Sequence, residues 1–338
     1  MEVVNSSPIA TRSTESVKRP ATDLQSATFK CIQSICRKNA REVFLGTMWL
    51  PTPKRAGIFS CIAFYRLLRE AICPSVGACD AATTKGAAAI SSSCSSGGCG
   101  ATSMDQTISM IRDRLSELYA GQLQFPDPAF CNEQQHVLIA IQWAIKRFQI
   151  PLECFVNILE GLRKESELRR FATRTSLNRM AEQVGGSMAM IAVCILGSTH
   201  SETPTRAQDI GSAGYLAHIL HNLTTHLSNG KIQIPLEELA KFKVTQNELQ
   251  QGIVTEPIGE LMRHQFAVAN QLLVNGQKTL PAITGDGSRL SAAWFAYGIQ
   301  HQLNSLQKQM DQLLRNRHII VPKIGWLNHV RRAAAIRK

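Results

Sequence analysis

From Met104 onward the chain is a succession of segments whose apolar residues recur at helical spacing, separated by short breaks, and no sustained alternating pattern of the kind a half-buried strand requires competes with them. The spacing predicts helices over 104–121, 133–148, 151–164, 173–197, 206–229, 235–241, 245–274, 286–316 and 322–334. Pro151 suits the first turn of a helix, and Gly230 followed by Pro235 marks a stop and a restart. Upstream, residues 26–72 show the same periodicity, interrupted by Pro51 and Pro53, which predicts two helices joined by a proline-containing turn. The second carries Ile58, Ile62, Tyr65 and Leu68 on one side. The fold class expected is therefore all-α, with no glycine-rich nucleotide fingerprint to support a Rossmann or P-loop fold.

Two regions break the helical reading. Residues 1–25 are rich in Ser, Thr, Lys and Arg and lack the apolar run of a secretory signal, so they read as a mobile tail. Glu2, Glu15 and Asp23 argue against an organelle-targeting peptide, the alternative for this segment. Residues 74–103 shift to Ala, Ser, Gly and Cys and read as a disordered insertion. Cys73, Cys79, Cys94 and Cys99 fall in or beside it, but only the last two approach the close pairing of a zinc site, so incidental thiols are the simpler reading.

Ten cysteines without an even, closely spaced framework suit a reducing compartment. No run reaches the roughly 18 uninterrupted apolar residues of a membrane span. The localisation expected is cytoplasmic, with peripheral membrane contact through the basic stretch Val330 to Lys338 as a further reading. Thirty-seven Lys and Arg against 25 Asp and Glu give a formal charge of +12, which favours an anionic partner without choosing among diphosphate, nucleic acid and lipid. The basic run Arg163, Lys164, Arg169, Arg170, Arg174 and Arg179 spreads over several helical faces and is interrupted by Glu165 and Glu167, which reads as a solvated surface rather than a nucleic-acid interface.

A more specific signal lies in the order of short elements: Ile150-Pro151, Phe155, Glu160-Gly161, the run from Phe171-Ala172-Thr173 to Val184-Gly185-Gly186, then Gly211-Ser212-Ala213, Ile219-Leu220, Gly230-Lys231, Pro235 and Leu239 to Phe242. Arg263, Phe266, Leu280-Pro281, Arg289 and the helix with Trp294, Phe295 and Tyr297 follow in turn. This series resembles the squalene/phytoene synthase family over residues 26–335, less the insertion. The resemblance implies one helical domain of the isoprenoid synthase type around a central cavity, and a role in isoprenoid or carotenoid biosynthesis. In that family two aspartate-rich helical segments hold magnesium, which binds the diphosphate of an allylic substrate and stabilises it as it leaves.

This chain departs from the family at those segments. Where an Arg and two further residues lead into Asp-Asp-x-x-Asp, it reads Arg66-Leu67-Leu68-Arg69-Glu70-Ala71-Ile72-Cys73, so Arg66 remains while Arg69, Glu70 and Cys73 stand at the acidic positions. Where the second motif has Gln-x-x-Asn-Ile-Leu-Arg-Asp-x-x-x-Asp, it has Tyr215, His218, Ile219, Leu220, His221, Asn222 and His226. Glu165 replaces a further aspartate, and Met180 takes the place of a pocket tyrosine. The direct expectation is a protein that has lost Mg-dependent prenyl transfer, a pseudoenzyme that binds isoprenoid diphosphates or serves as a scaffold for a protein partner. The alternative is an active, divergent prenyltransferase condensing two farnesyl or geranylgeranyl diphosphates, with Glu70 and Glu165 as its remaining acids and Mg2+ as its cofactor. The resemblance assigns Arg66, Arg69, Lys231, Arg289, Tyr215 and Met180 to ligand binding. His218, Asn222 and His226, on one helical face, are the candidates for an unusual transition-metal site.

Overall fold

The computed structural model describes residues 26–72, 104–125, 131–252 and 254–315. The expected insertion, the N-terminal tail, the helix expected over 322–334 and the basic C-terminus all lie outside the described residues. Within them the chain is helical throughout, and the only β-type pairings are two isolated bridges, Arg170 with Ile232 and Ser198 with Ile283.

The first layer is built from α1 (Ser26–Asn39), α2 (Arg41–Gly46), α3 (Thr52–Ile72), α4 (Met104–Ala120), α5 (Glu133–Phe148) and α6 (Leu152–Glu167). Then come α7 (Arg174–Ala181), a π-helical turn (Glu182–Gly186), α8 (Ser187–Leu196), α9 (Thr203–His221), α10 (Leu223–Ser228), α11 (Leu236–Lys241), α12 (Gln246–Gln251), α13 (Glu256–Gln277), a 3-10 turn (Leu280–Ala282), α14 (Ser288–Lys308) and α15 (Met310–Leu314). Local sequence explains several boundaries. Asn132, Thr173 and Thr245 each cap a helix and receive a reciprocal bond from Gln135, Ser176 and Glu248, three residues on. The span expected as one helix over 245–274 is two, because Gly252 turns left-handed (φ +67°) and Pro257 opens a new first turn. The span 206–229 begins earlier, at Thr203 with Pro204 in its first turn, and breaks at Asn222, whose φ of −97° and ψ of 15° leave the α region.

Apolar stripes from these helices form two buried clusters. One unites α1, α3 to α6 and α8 around Phe59, Leu68, Ile111, Ile141 and Phe155. The other unites α7 and α9 to α15 around Leu223, Ile258, Met262, Phe266 and Leu273. Tyr65 on α3 packs against both. The seam between them holds the cavity.

At that seam α9 approaches the π turn and α8 with almost no side chain between. A Cβ on Gly211 would lie 2.0 Å from the Gly185 carbonyl oxygen, and one on Gly185 would lie 2.2 Å from that of Gly211. The π turn places Gly185 and Gly186 at this crossing. Glycine is required here for backbone contact.

Arg174–Leu196 is, by length and composition, apolar enough to cross a membrane, with a mean hydropathy of 1.2. Half of that window is buried inside the bundle, as in a core helix.

Candidate ligand site: an apolar cavity with a polar end

The cavity has a volume of about 280 Å³ and an almost wholly apolar lining from α3 (Ile58, Cys61, Ile62), the π turn and α8 (Gly185, Met188, Ile191), α9 (Ile210, Gly211, Gly214) and α14 (Phe295, Ile299). That is close to the lower end of the roughly 300–1,000 Å³ typical of small-molecule sites. Two lining stripes continue past the cavity into polar residues. On α3 the series Ile58, Ile62, Tyr65, Arg69 follows i, i+4, i+7, i+11 spacing. On α9 the series Gly211, Gly214, Tyr215, His218 follows i, i+3, i+4, i+7 spacing, with Asn222 beyond it. An apolar chain and a polar end are thus provided by the same helical faces.

At the polar end Arg69 donates from Nη2 to Glu165 Oε1 on α6 at 2.9 Å and from Nη1 to the Tyr65 hydroxyl at 3.1 Å. Tyr215 donates its hydroxyl to the other oxygen, Glu165 Oε2, at 2.9 Å. Glu165 is 3% exposed. Lys231 donates to its backbone carbonyl at 3.1 Å. One buried glutamate, through its carboxylate and its backbone carbonyl, therefore joins α3, α6, α9 and the loop after α10. Burial would by itself lower the pKa of Arg69, but Tyr65 and Glu165 outweigh it and raise it, so the guanidinium stays charged. Burial, and then the neighbouring Glu165, push the Tyr215 hydroxyl well above its ordinary value, so it is a neutral donor.

The remaining candidates divide. Arg66 pairs with Glu70 one turn on at 2.5 Å and does not reach Glu165. His218 is open to solvent yet closely surrounded by protein, the situation of a side chain lining a cleft, and desolvation followed by the Arg69 charge pushes its pKa down to about 4. Asn222 donates to the His218 carbonyl at 2.9 Å and sits 3.2 Å from its Nδ1. His226 is buried, lowered by desolvation, and its Nε2 has no hydrogen-bond partner. Two further expected ligand residues have their own partners. Met180 is 1% exposed in the second apolar cluster, and Arg289 donates to the Ile283 carbonyl at the start of α14, at 3.0 and 3.2 Å. Among the described residues no three of His, Cys, Asp and Glu gather where they could hold a metal ion. The thiols of Cys31, Cys36, Cys61, Cys131, Cys154 and Cys194 are free.

Within the basic run Arg163 pairs with Glu160 and Glu167, Arg174 with Glu238, and Lys164 donates to Gln183. Sequence reasoning missed the small residues that shape the cavity, Gly211 and Gly214 with Ala189 and Ala192 opposite, whose signal was their helical spacing through an otherwise bulky core.

A helical bundle enclosing an apolar cavity with a polar end defines the class as an all-α isoprenoid synthase fold. Matching architectures include a ligand-bound dehydrosqualene synthase (TM-score 0.72, 20% identity, 91% of this chain and 95% of that one) and squalene synthase HpnC from Alicyclobacillus acidocaldarius (TM-score 0.67, 15% identity, 86% and 95%). The chain belongs to the squalene/phytoene synthase family, whose sequence model matches residues 36–324. Among its relatives is the phytoene synthase of Arthrospira platensis, 23% identical over 283 residues that make up 80% of each chain. The phytoene synthase of Thermus thermophilus is 28% identical over 180 residues, 53% of this chain and 61% of that one.

Proposed function

We propose that this protein keeps the isoprenoid-binding cavity of its family but does not carry out Mg-dependent prenyl transfer. The observation that carries this reading is Arg69, which stands at an expected metal-ligand position and binds Glu165, the most deeply buried acid of the site. Magnesium demands near-octahedral oxygen ligation, usually through one or two carboxylates that are free to coordinate. Here both Glu165 oxygens are already engaged, by Arg69 and Tyr215, and Glu70 is tied to Arg66. The Asn222 amide nitrogen is turned toward His218. This donor set does not fit magnesium, and a guanidinium beside it opposes a divalent cation directly.

A departing diphosphate needs its developing charge stabilised, and without that shell the bundle has a binding site but lacks the means to ionise the substrate. The scaffold role, in which a protein partner uses the same fold, is a further part of this reading. The test is incubation of the purified full chain with farnesyl or geranylgeranyl diphosphate and Mg2+. Neither pyrophosphate nor a C30 or C40 hydrocarbon is expected. Formation of both defeats the proposal in favour of a divergent prenyltransferase.

A further inference from the structure

The polar end cancels most of its own charge. Arg69 is neutralised by Glu165 and Arg66 by Glu70, while Tyr65 and Tyr215 contribute uncharged hydroxyls. Lys231 is the cation left over in this cluster, and its ammonium is directed to the Glu165 carbonyl. His218 stands one turn along α9 from the cavity-lining Gly214. A multiply charged diphosphate placed here would lose its hydration and find its cations already paired, a cost that partial compensation does not recover. A hydroxyl suffers no such loss. It both donates and accepts, so it can bond to an imidazole or to a tyrosine hydroxyl at this end.

Building on the isoprenoid-binding reading above, we propose that the cavity takes a prenyl alcohol, with its chain between α3, α8, α9 and α14 and its hydroxyl at His218, in preference to the prenyl diphosphate. The ligand class follows from the self-cancelled pairs at the polar end together with the apolar cavity they adjoin.

Equilibrium dialysis of the full-length protein against radiolabelled geranylgeraniol and geranylgeranyl diphosphate, each with and without Mg2+, tests this. Saturable binding of the alcohol is expected, with the diphosphate at least about tenfold weaker and insensitive to Mg2+. In Glu165→Gln, which uncovers the Arg69 charge, the ratio should move by about threefold or more toward the diphosphate. Glu238→Gln, a change at a buried acid away from the cavity, should leave the ratio as it is. Diphosphate binding as tight as the alcohol's in the unaltered protein overturns the preference while leaving the isoprenoid reading standing. Saturable binding of neither ligand overturns both. The ratio in the unaltered protein decides the matter even if Glu165→Gln does not fold.

Discussion

Glu165 and Glu238 are both buried acids held by an arginine from another helix, yet their surroundings differ. Glu238 on α11 accepts from Arg174 on α7 through both oxygens and from Gln265 at 2.6 Å, and it lies 3.2 Å from His264 Nε2, both on α13. Every partner is a side chain of the bundle, and the cluster ties three helices together. Glu165 accepts from Arg69 and Tyr215, and its charge and that of Arg69 both act on His218 at the cleft. The same ion-pair chemistry ties helices together in both places, but at Glu165 it does so beside the proposed ligand cavity. A buried pair is thus no sign of function by itself, and what lies on its open side decides.

The largest effect separates these roles. Glu238→Ala leaves Gln265 Nε2 and His264 without this acceptor and Arg174 with the Gln265 oxygen alone, and should destabilise the protein by about 3–5 kcal/mol in urea unfolding, the usual cost of breaking a buried ion pair from one side. Glu165→Ala removes fewer bonds and leaves Arg69 beside the cleft, where water can replace the carboxylate, so its loss should be about half as large. Equal losses would mean that Arg69 has no access to the cleft, and the contrast would fail. Glu238 adds a pH signature. Burial raises its pKa, but bonds from Arg174 and Gln265 outweigh that and hold it below 4.5. A lowered carboxylate contributes stability above its unfolded value that is lost as pH falls through the folded one. Glu238→Gln should therefore flatten the acid limb of the stability curve.

A smaller effect tests the seam. In Gly211→Ala the new Cβ would meet the Gly185 carbonyl at 2.0 Å, backbone against backbone, so α9 must move. Overpacking of this kind costs about 1–3 kcal/mol. Gly214→Ala meets only the tip of Ile299, at 3.0 Å, and a helical alanine regains up to about 1 kcal/mol over glycine, so stability should hold while the cavity narrows. Thermal melts alongside alcohol binding separate the two variants. A Gly211→Ala protein as stable as the unaltered one would show that the crossing tolerates separation.

Much of this was legible in the sequence, and the rest was hidden for physical reasons. Helical periodicity and the caps at Asn132, Thr173 and Thr245 mark elements because their causes are local. The loss of acidic residues at Arg69, Asn222 and His226 could be read at once. That Arg69 would pair with Glu165, ninety-six positions away, could not, because helix packing sets that contact. Neither could the placing of Arg289 on a backbone carbonyl, or of Met180 inside the core, since spacing gives a residue's face on its helix and not what covers that face. The π turn escaped for a similar reason: the apolar pattern passes through it without a break, and its five residues are set by the close approach of α9.

The smallest effect concerns the charge of the cleft itself. Desolvation, then Arg69, depress His218 to about 4, with Glu165 opposing and His226 and His221 adding to the depression. Between its ordinary value of 6.5 and about 4 the unfolded chain binds a proton at this position that the folded protein refuses, so stability rises with pH across that window and falls on acidification. His226, also lowered, contributes in the same direction, and Glu238 acts further toward acid. His218→Gln keeps a neutral polar group in place and should shrink the loss of melting temperature between pH 7 and pH 5, by a modest amount because the ring is open to solvent. An unchanged slope would mean that His218 takes up its proton in the folded protein at the same pH as in the unfolded chain, near 6.5 rather than about 4. Mild acidification would then add a cation to the polar end and restore a reason for an anionic ligand to bind there, against what the pairing of Arg69 with Glu165 implies.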